Sequence, residues 1–363
     1  MPVSKFLAAS LLGLALLTGC DPQPSLVAEP AKDATNVFVV NEGNITRSNG
    51  SVSLFKTTDK SLTLDIFKAV NNRVLGDVVQ DMVVASSRAY LVVNNSNKIE
   101  VVSLPGFKSV GVVRGVKQPR FFLPVSATRG YVTQWGDYNG AASRIKVIDL
   151  STLTVVDSIS TGLKPERLVL ANGRVFVANS GSNTLTVIDP ATNRVTSTLT
   201  VGTGANSLAL DKNGLLWVLC GAFVYDPITY SADYGATVPG KLVSVNPATA
   251  TVVTTRTFDS NLLQPTDLHF NSAGDQLYFR AANPDDYTGP VYRFGIAETT
   301  LPSLRTPFIR RSFYGLGLDP NTNLIYGGTG TFLGTDKMIR YQSNGTALDS
   351  TAVGIGPNGF VFY

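Results

Sequence analysis

The feature that most constrains this chain is a unit of four short β-rich runs that recurs along it. Its clearest copy is Leu168-Val169-Leu170, a turn at Ala171-Asn172-Gly173, then Arg174 to Asn179, Asn183 to Pro190 and Val195 to Leu199. These read as four strands, a to d. The a–b and c–d links are tight, since Asn-Gly and Asp-Pro-Ala-Thr-Asn favour chain reversal. The b run recurs at Val37–Val40, Tyr90–Val93, Gly130–Thr133, Val175–Ala178, Leu216–Leu219, Leu277–Arg280 and Leu324–Tyr326. The c run recurs at Val52–Phe55, Ile99–Val102, Ile145–Ile148, Leu185–Ile188, Leu242–Val245, Val291–Phe294 and Met338–Tyr341. A four-stranded blade cannot bury both of its faces alone, so such repeats stack around an axis. The expected fold is all-β: a seven-bladed β-propeller of four-stranded blades.

The first repeat begins at strand b. The last residues, Pro357-Asn358-Gly359-Phe360-Val361-Phe362-Tyr363, read as a strand a with no strand b after it. The C-terminal strand is therefore expected to close the first blade as its innermost strand, leaving no open end. A β-sandwich, or two propeller-like halves, is the alternative, although nothing marks a linker between repeats. Past residue 35 no segment sustains a helical period.

Three segments follow along the chain: 1–19 as an export signal, 20–35 as a lipidated cysteine and tether, and 36–363 as the propeller. Lys5 precedes an apolar run from Phe6 to Leu17 that ends in Leu17-Thr18-Gly19-Cys20, too short to span a bilayer. This ending resembles the bacterial lipobox, which implies acylation of Cys20 and a membrane anchor. An ordinary signal peptide or an anchor helix is the alternative. Pro22, Pro24 and Pro30 suit a stiff spacer. Cys220, the other cysteine, follows Leu216-Trp217-Val218-Leu219 and reads as a buried small hydrophobe. No structural disulfide is available to the mature chain. The formal charge of +4 is spread thinly with no basic stripe, which argues against nucleic acid as a partner.

In a four-stranded blade the a–b and c–d turns share one face, and the b–c loops and d–a crossovers share the other. The first set is short throughout. The b–c set includes Asn41–Ser51, Gln134–Arg144, Cys220–Lys241, Ala281–Pro290 and Gly327–Lys337. Ordering long loops costs entropy that short turns avoid, so folding alone does not account for them. They carry Trp135, Tyr138, Phe223, Tyr225, Tyr230, Tyr234, Tyr287 and Phe332, suited to stacking on a ligand or anchoring a partner. The bland alternative is that the rings pack among themselves. On the same face Asp81, Arg120, Arg167, Asn206, Asp267, Tyr314 and Asn358 stand at or near the starts of strands a. There Gln118-Pro119-Arg120, Lys164-Pro165-Glu166-Arg167 and Gln264-Pro265-Thr266-Asp267 occupy equivalent positions. A polar ring under an aromatic rim suits a small polar ligand; the alternative is that these groups cap strands and bind channel water.

Tyr90-Leu91-Val92-Val93-Asn94-Asn95 and Val175-Phe176-Val177-Ala178-Asn179-Ser180 resemble the YVTN repeat of YncE-like and surface-layer-like propellers. Val37-Phe38-Val39-Val40-Asn41-Glu42-Gly43-Asn44, with Asn49-Gly50-Ser51, is similar to Bacteroidetes lipoproteins of the DUF5074 type. Gln134-Trp135 and Cys220-Gly221 depart from the Asn-Xaa that usually follows strand b. The group includes surface proteins that capture cobalamin beside an outer-membrane transporter. The resemblance thus implies the fold, a monomeric ring on the outer membrane at its surface or periplasmic side, and a corrinoid among the candidate ligands.

Catalytic chemistry is sparse, and no cofactor or metal is expected. His269 is the single histidine, without the Cys or His partners a metal site needs. Asp285-Asp286 lacks the twelve-residue calcium-loop spacing. Gly327-Gly328-Thr329-Gly330 lacks the lysine of a phosphate loop. Three functions stay open: ligand capture for a transporter, a protein-interaction scaffold, and a hydrolase or lyase working in the funnel.

Overall fold

Strands b and c are near-continuous apolar runs, and such runs need cover on both faces. In the computed structural model, which describes residues 35–363, they receive it. Val37–Val40, Ala89–Val93 and Val175–Ala178 are buried throughout. Strand d reads differently. Arg194–Thr200 and Thr251–Thr257 are rich in threonine, expose most of their side chains and form outer edges, where polar β-branched residues suit a half-solvated strand. The expected export signal, Cys20 and all but the last residue of the tether lie outside the described residues.

Seven four-stranded antiparallel sheets result. From blade 1 to blade 7 the inner strands a are Pro357–Phe362, Val79–Ala85, Pro119–Pro124, Pro165–Ala171, Ala205–Leu210, Gln264–Phe270 and Gly315–Leu318. Each touches the next, so the ring closes. The core is divided accordingly into seven hydrophobic clusters, one in each gap between blades.

Blade 1 is the expected composite. Pro357–Phe362 pairs antiparallel with Asn36–Asn41, placing Phe360 opposite Val39. Phe360 and Phe362 lie 5.6 Å and 5.1 Å from the ring of Tyr326, which ties blade 7 to blade 1. Blade 1 carries two further local features. Strand d of blade 1 is only Leu62–Thr63, and a six-residue helix, Ile66–Asn71, follows it. One turn and a half is too short to show a period, and burial of Ile66 and Phe67 holds it rather than intrinsic propensity. Among the described residues no helix is long and apolar enough to cross a membrane.

The asparagine of the repeat motif is a structural tie. Asn41 donates to Ser51 Oγ at 3.2 Å and Ser53 Oγ at 3.0 Å, and Asn179 donates to Thr186 Oγ1 at 3.0 Å. Each binds strand b to strand c beneath a b–c loop.

Candidate functional site

In six of the seven inner strands the register against strand b slips near the first residues. The slips fall at Gln80, Arg120–Phe121, Glu166–Arg167, Asn206, Asp267–Leu268 and Asn358. A bulge bends its strand and re-aims a side chain; repeated around the ring, it gathers a polar tier at the end of the channel beneath the long loops. Asp267 adopts φ +61° there, a left-handed conformation that aspartate accepts better than most residues.

Two ionic groups organise this tier. Arg120 donates to Glu166 from Nε at 3.1 Å and from Nη2 at 3.1 Å, and also to Gln80 Oε1. Asp267 accepts from Arg280 Nε at 3.2 Å and from the Leu316 N–H at 2.8 Å, and shares a hydrogen bond with His269 Nε2 at 3.1 Å. The Asp267 N–H donates in turn to Ser207 Oγ at 2.8 Å, so this residue joins blades 5, 6 and 7. Burial opposes its ionisation, but His269, Arg280 and Arg167 outweigh that and hold its carboxyl well below the usual carboxylate range. Arg280 also donates to the Tyr287 carbonyl at 2.6 Å, anchoring the blade 6 loop.

Glu42 and Asp81 behave oppositely. Burial pushes the carboxyl of Glu42 up despite the hydrogen bond from Tyr314 and the nearby Arg120 and Arg280. Burial likewise raises Asp81, against the pull of Arg167, of the Phe122 N–H at 3.1 Å and of Arg120. The phenol of Tyr314 is raised well above its ordinary value by burial and by the adjacent Glu42.

The tier thus brings together Asp81, Arg120, Arg167, Asp267 and Tyr314. It adds Glu42, Gln80, Glu166, Arg280 and His269, which the sequence reading did not select as site residues. Glu166 adjoins Arg167 in the quoted Pro-Glu-Arg motif, a signal that was present; Arg280 ends a strand b and carried none. Asn206 spends its amide donors on the carbonyls of Gly204 at 3.1 Å and Pro265 at 3.1 Å. Asn358 donates to Val79 O at 3.2 Å and Gln80 O at 3.3 Å. Both asparagines fasten neighbouring blades.

The aromatic rim splits into groups. Phe332 packs edge-on over Tyr314 at 4.9 Å, and Asn44 donates to its carbonyl. Asp336, buried, organises that loop by accepting from Thr329, Thr331 and the Gly356 N–H. Tyr225 and Tyr287 approach OH to OH at 3.2 Å, and Phe223 lies edge-on to Tyr225 and Tyr234. Trp135 is half-buried beside Arg120, and its Nε1–H finds no acceptor among the described residues. Tyr138 stands 78% exposed. Asp286, considered for calcium, accepts instead from Asn283 Nδ2 at 2.7 Å and the Thr288 N–H at 2.8 Å. Among the described residues no group of three His, Cys, Asp or Glu side chains is placed to hold a metal ion.

A closed seven-bladed β-propeller with a charged funnel under long loops is the class of protein that fold and site define. The chain belongs to the family described as a domain of unknown function, DUF5074, which it matches over residues 35–344. No curated protein matches it. Among solved structures it is similar to a quinonprotein alcohol dehydrogenase-like protein from Bacteroides thetaiotaomicron, with TM-score 0.64, 17% identity, and cover of 91% of this chain and 78% of that one. It is similar also to a functionally unknown protein from Desulfotomaculum acetoxidans, with TM-score 0.63, 12% identity, and cover of 91% and 99%. Hydrazine synthase of Kuenenia stuttgartiensis aligns with TM-score 0.56 and 14% identity over 75% of this chain and 85% of that one. At these identities the likeness speaks to the fold alone.

Proposed function

We propose that this chain is a cell-envelope lipoprotein that captures a small polar ligand at the funnel mouth and delivers it to an outer-membrane transporter. A corrinoid such as cobalamin is the first ligand to test. The observation that carries the reading is the hydrogen-bonding capacity left in the tier after its internal pairs are made. The guanidinium of Arg167 makes no hydrogen bond among the described residues, its nearest carboxylate oxygen lying 3.7 Å away on Asp267. Asp81 accepts only from the backbone. A ligand with an acceptor edge for Arg167 and a donor edge for Asp81 would complete both, and unpaired buried polar groups are costly. The anchor is Cys20, in Leu17-Thr18-Gly19-Cys20, and the ring would sit on the outer membrane at the surface or periplasmic side.

Calorimetric titration with cobalamin and a metabolite panel, repeated on Trp135→Ala/Tyr138→Ala/Tyr234→Ala, tests this. Heat that saturates in the parent and is lost in the variant supports capture at this face; no heat from any compound refutes it. Loop tips favour a second reading, a docking surface for an envelope protein, because Ile228, Tyr230 and Leu333 stand 85%, 79% and 94% exposed. A stoichiometric co-purifying envelope protein with no small-molecule heat would decide for that. A hydrolytic reading has less support: Asp267, the carboxylate beside the one histidine, is held ionised by its partners and so accepts a proton only weakly.

A further inference from the structure

Between blades 3 and 4 the side chains of the mouth alternate ring and cation in one line. Lys164 Nζ stands 5.3 Å from the ring centre of Tyr138 and 5.1 Å from that of Trp135. Arg120 lies 4.5 Å from Trp135 and 5.8 Å from Phe121, and Arg167 covers Phe121 at 4.5 Å. The line runs from the exposed Tyr138 down to the polar tier.

The three cations are not equivalent. Arg120 is neutralised by its two-pronged pair with Glu166. Lys164 meets no carboxylate among the described residues; Asp137, on the facing loop, caps the Ala141 N–H instead. Arg167 has a distant contact with Asp267, whose oxygens already serve Arg280, His269 and the Leu316 N–H, and a longer-range attraction to Asp81. Lys164 and Arg167 flank Pro165-Glu166 on one crossover, both half-buried, so two cations without a hydrogen-bonded carboxylate face one sector of the funnel. Aromatic faces hold such cations in place without consuming their hydrogen-bond donors.

We propose that this sector is an oxyanion site, in which a phosphate or carboxylate group of the ligand docks along this line, drawn by Lys164 at its outer end and Arg167 at its inner end, with its flat or apolar body against Trp135 and Phe121. This deepens the capture reading and rests on it.

The test uses tryptophan emission of the full chain. The sequence holds two tryptophans; Trp217 is buried towards the tight-turn face and donates Nε1–H to Asp211 at 2.9 Å, so a change on adding an anion reports Trp135. At low salt, inorganic pyrophosphate or succinate should give a saturable change. Lys164→Gln and Arg167→Gln should each weaken it about tenfold or more, as loss of a charge-assisted contact does, with unfolding midpoints unchanged and Lys164→Arg restoring affinity. Lys212→Gln, at the opposite face beside Asp275, should leave it unaltered. Added salt should weaken it. Saturation by pyrophosphate alone would assign a phosphate, and by succinate alone a carboxylate. No saturation with either, or equal affinity in parent and variants, overturns the site. A metabolite that binds parent and both glutamine variants equally overturns the oxyanion site while leaving capture intact; saturable pyrophosphate with no metabolite bound does the reverse.

Discussion

Replacing Asp267 with asparagine should destabilise the ring by about 3 kcal/mol. The residue is 6% exposed, and asparagine keeps both its left-handed backbone and one acceptor for the Leu316 N–H. What it removes is the counter-charge of Arg280, whose side chain is 11% exposed. Removing one partner of a buried pair costs roughly 3–5 kcal/mol, and the carbonyls of Tyr287 and Phe313 still accept from Arg280, which favours the low end. Asp267→Ala should cost about 1–2 kcal/mol more, since alanine pays for the left-handed conformation. Urea unfolding followed by fluorescence would read the loss as a lower midpoint at unchanged slope. Pairing Asp267→Asn with Arg280→Met should recover at least half of it, because the orphaned charge goes too. The pH dependence has a definite sign. A depressed carboxyl contributes its stability above the unfolded value of about 3.9 and loses it as pH falls through the folded value. The gap between parent and variant should therefore hold from pH 5 to 8 and narrow only in strong acid. A loss below about 1 kcal/mol, or a gap that closes near pH 6, would refute the reasoning.

Glu42 should show the opposite sign: with its folded value raised, its ionisation costs stability as pH rises. Glu42→Gln, which can still accept from Tyr314, should gain on the parent in melts between pH 4 and 8, and a constant difference would count against it. Gly289→Ala should cost about 1–3 kcal/mol or more, because a Cβ there meets the Ala281 carbonyl oxygen at 1.8 Å, whereas Gly106→Ala, in open space, should be neutral. Equal unfolding midpoints for the two would remove the argument. Burial pushes the Cys220 thiol up to about 12, so mass spectrometry of the Cys220 peptide should show no thiol labelling in the folded protein and full labelling in urea. Deleting residues 357–363 removes strand a of blade 1 and should abolish the single cooperative transition; a variant that melts like the parent would disprove closure by that strand.

The sequence made the ring legible because blade count and closure depend on period alone. Seven b runs and an orphan a run leave few other ways to bury the apolar faces. The site was legible in part. Proline before Arg120, Arg167 and Asp267 placed them near the axis, but the pairings were hidden because they cross blades. Arg120 meets Glu166 and Tyr314 meets Glu42 across 46 and 272 residues of chain. The bulges that aim these groups leave no mark in an alternating pattern, since each merely adds a residue to it. Aromatic loops could be read for type but not for exposure: Tyr138 points outwards while Phe332 folds onto Tyr314, and only the neighbours decide which.

The composite first blade sets a timetable for assembly. Asn36–Asn41 and its partner Pro357–Phe362 are roughly 300 residues apart, so their pairing closes the longest loop in the domain and comes late in folding. Until then the inner edge of Asn36–Asn41 and the flank of blade 7 around Tyr326 and Met338 stay uncovered, a sticky β-edge beside an apolar wall. If the chain crosses a membrane before folding, that edge is what a holding chaperone must shield.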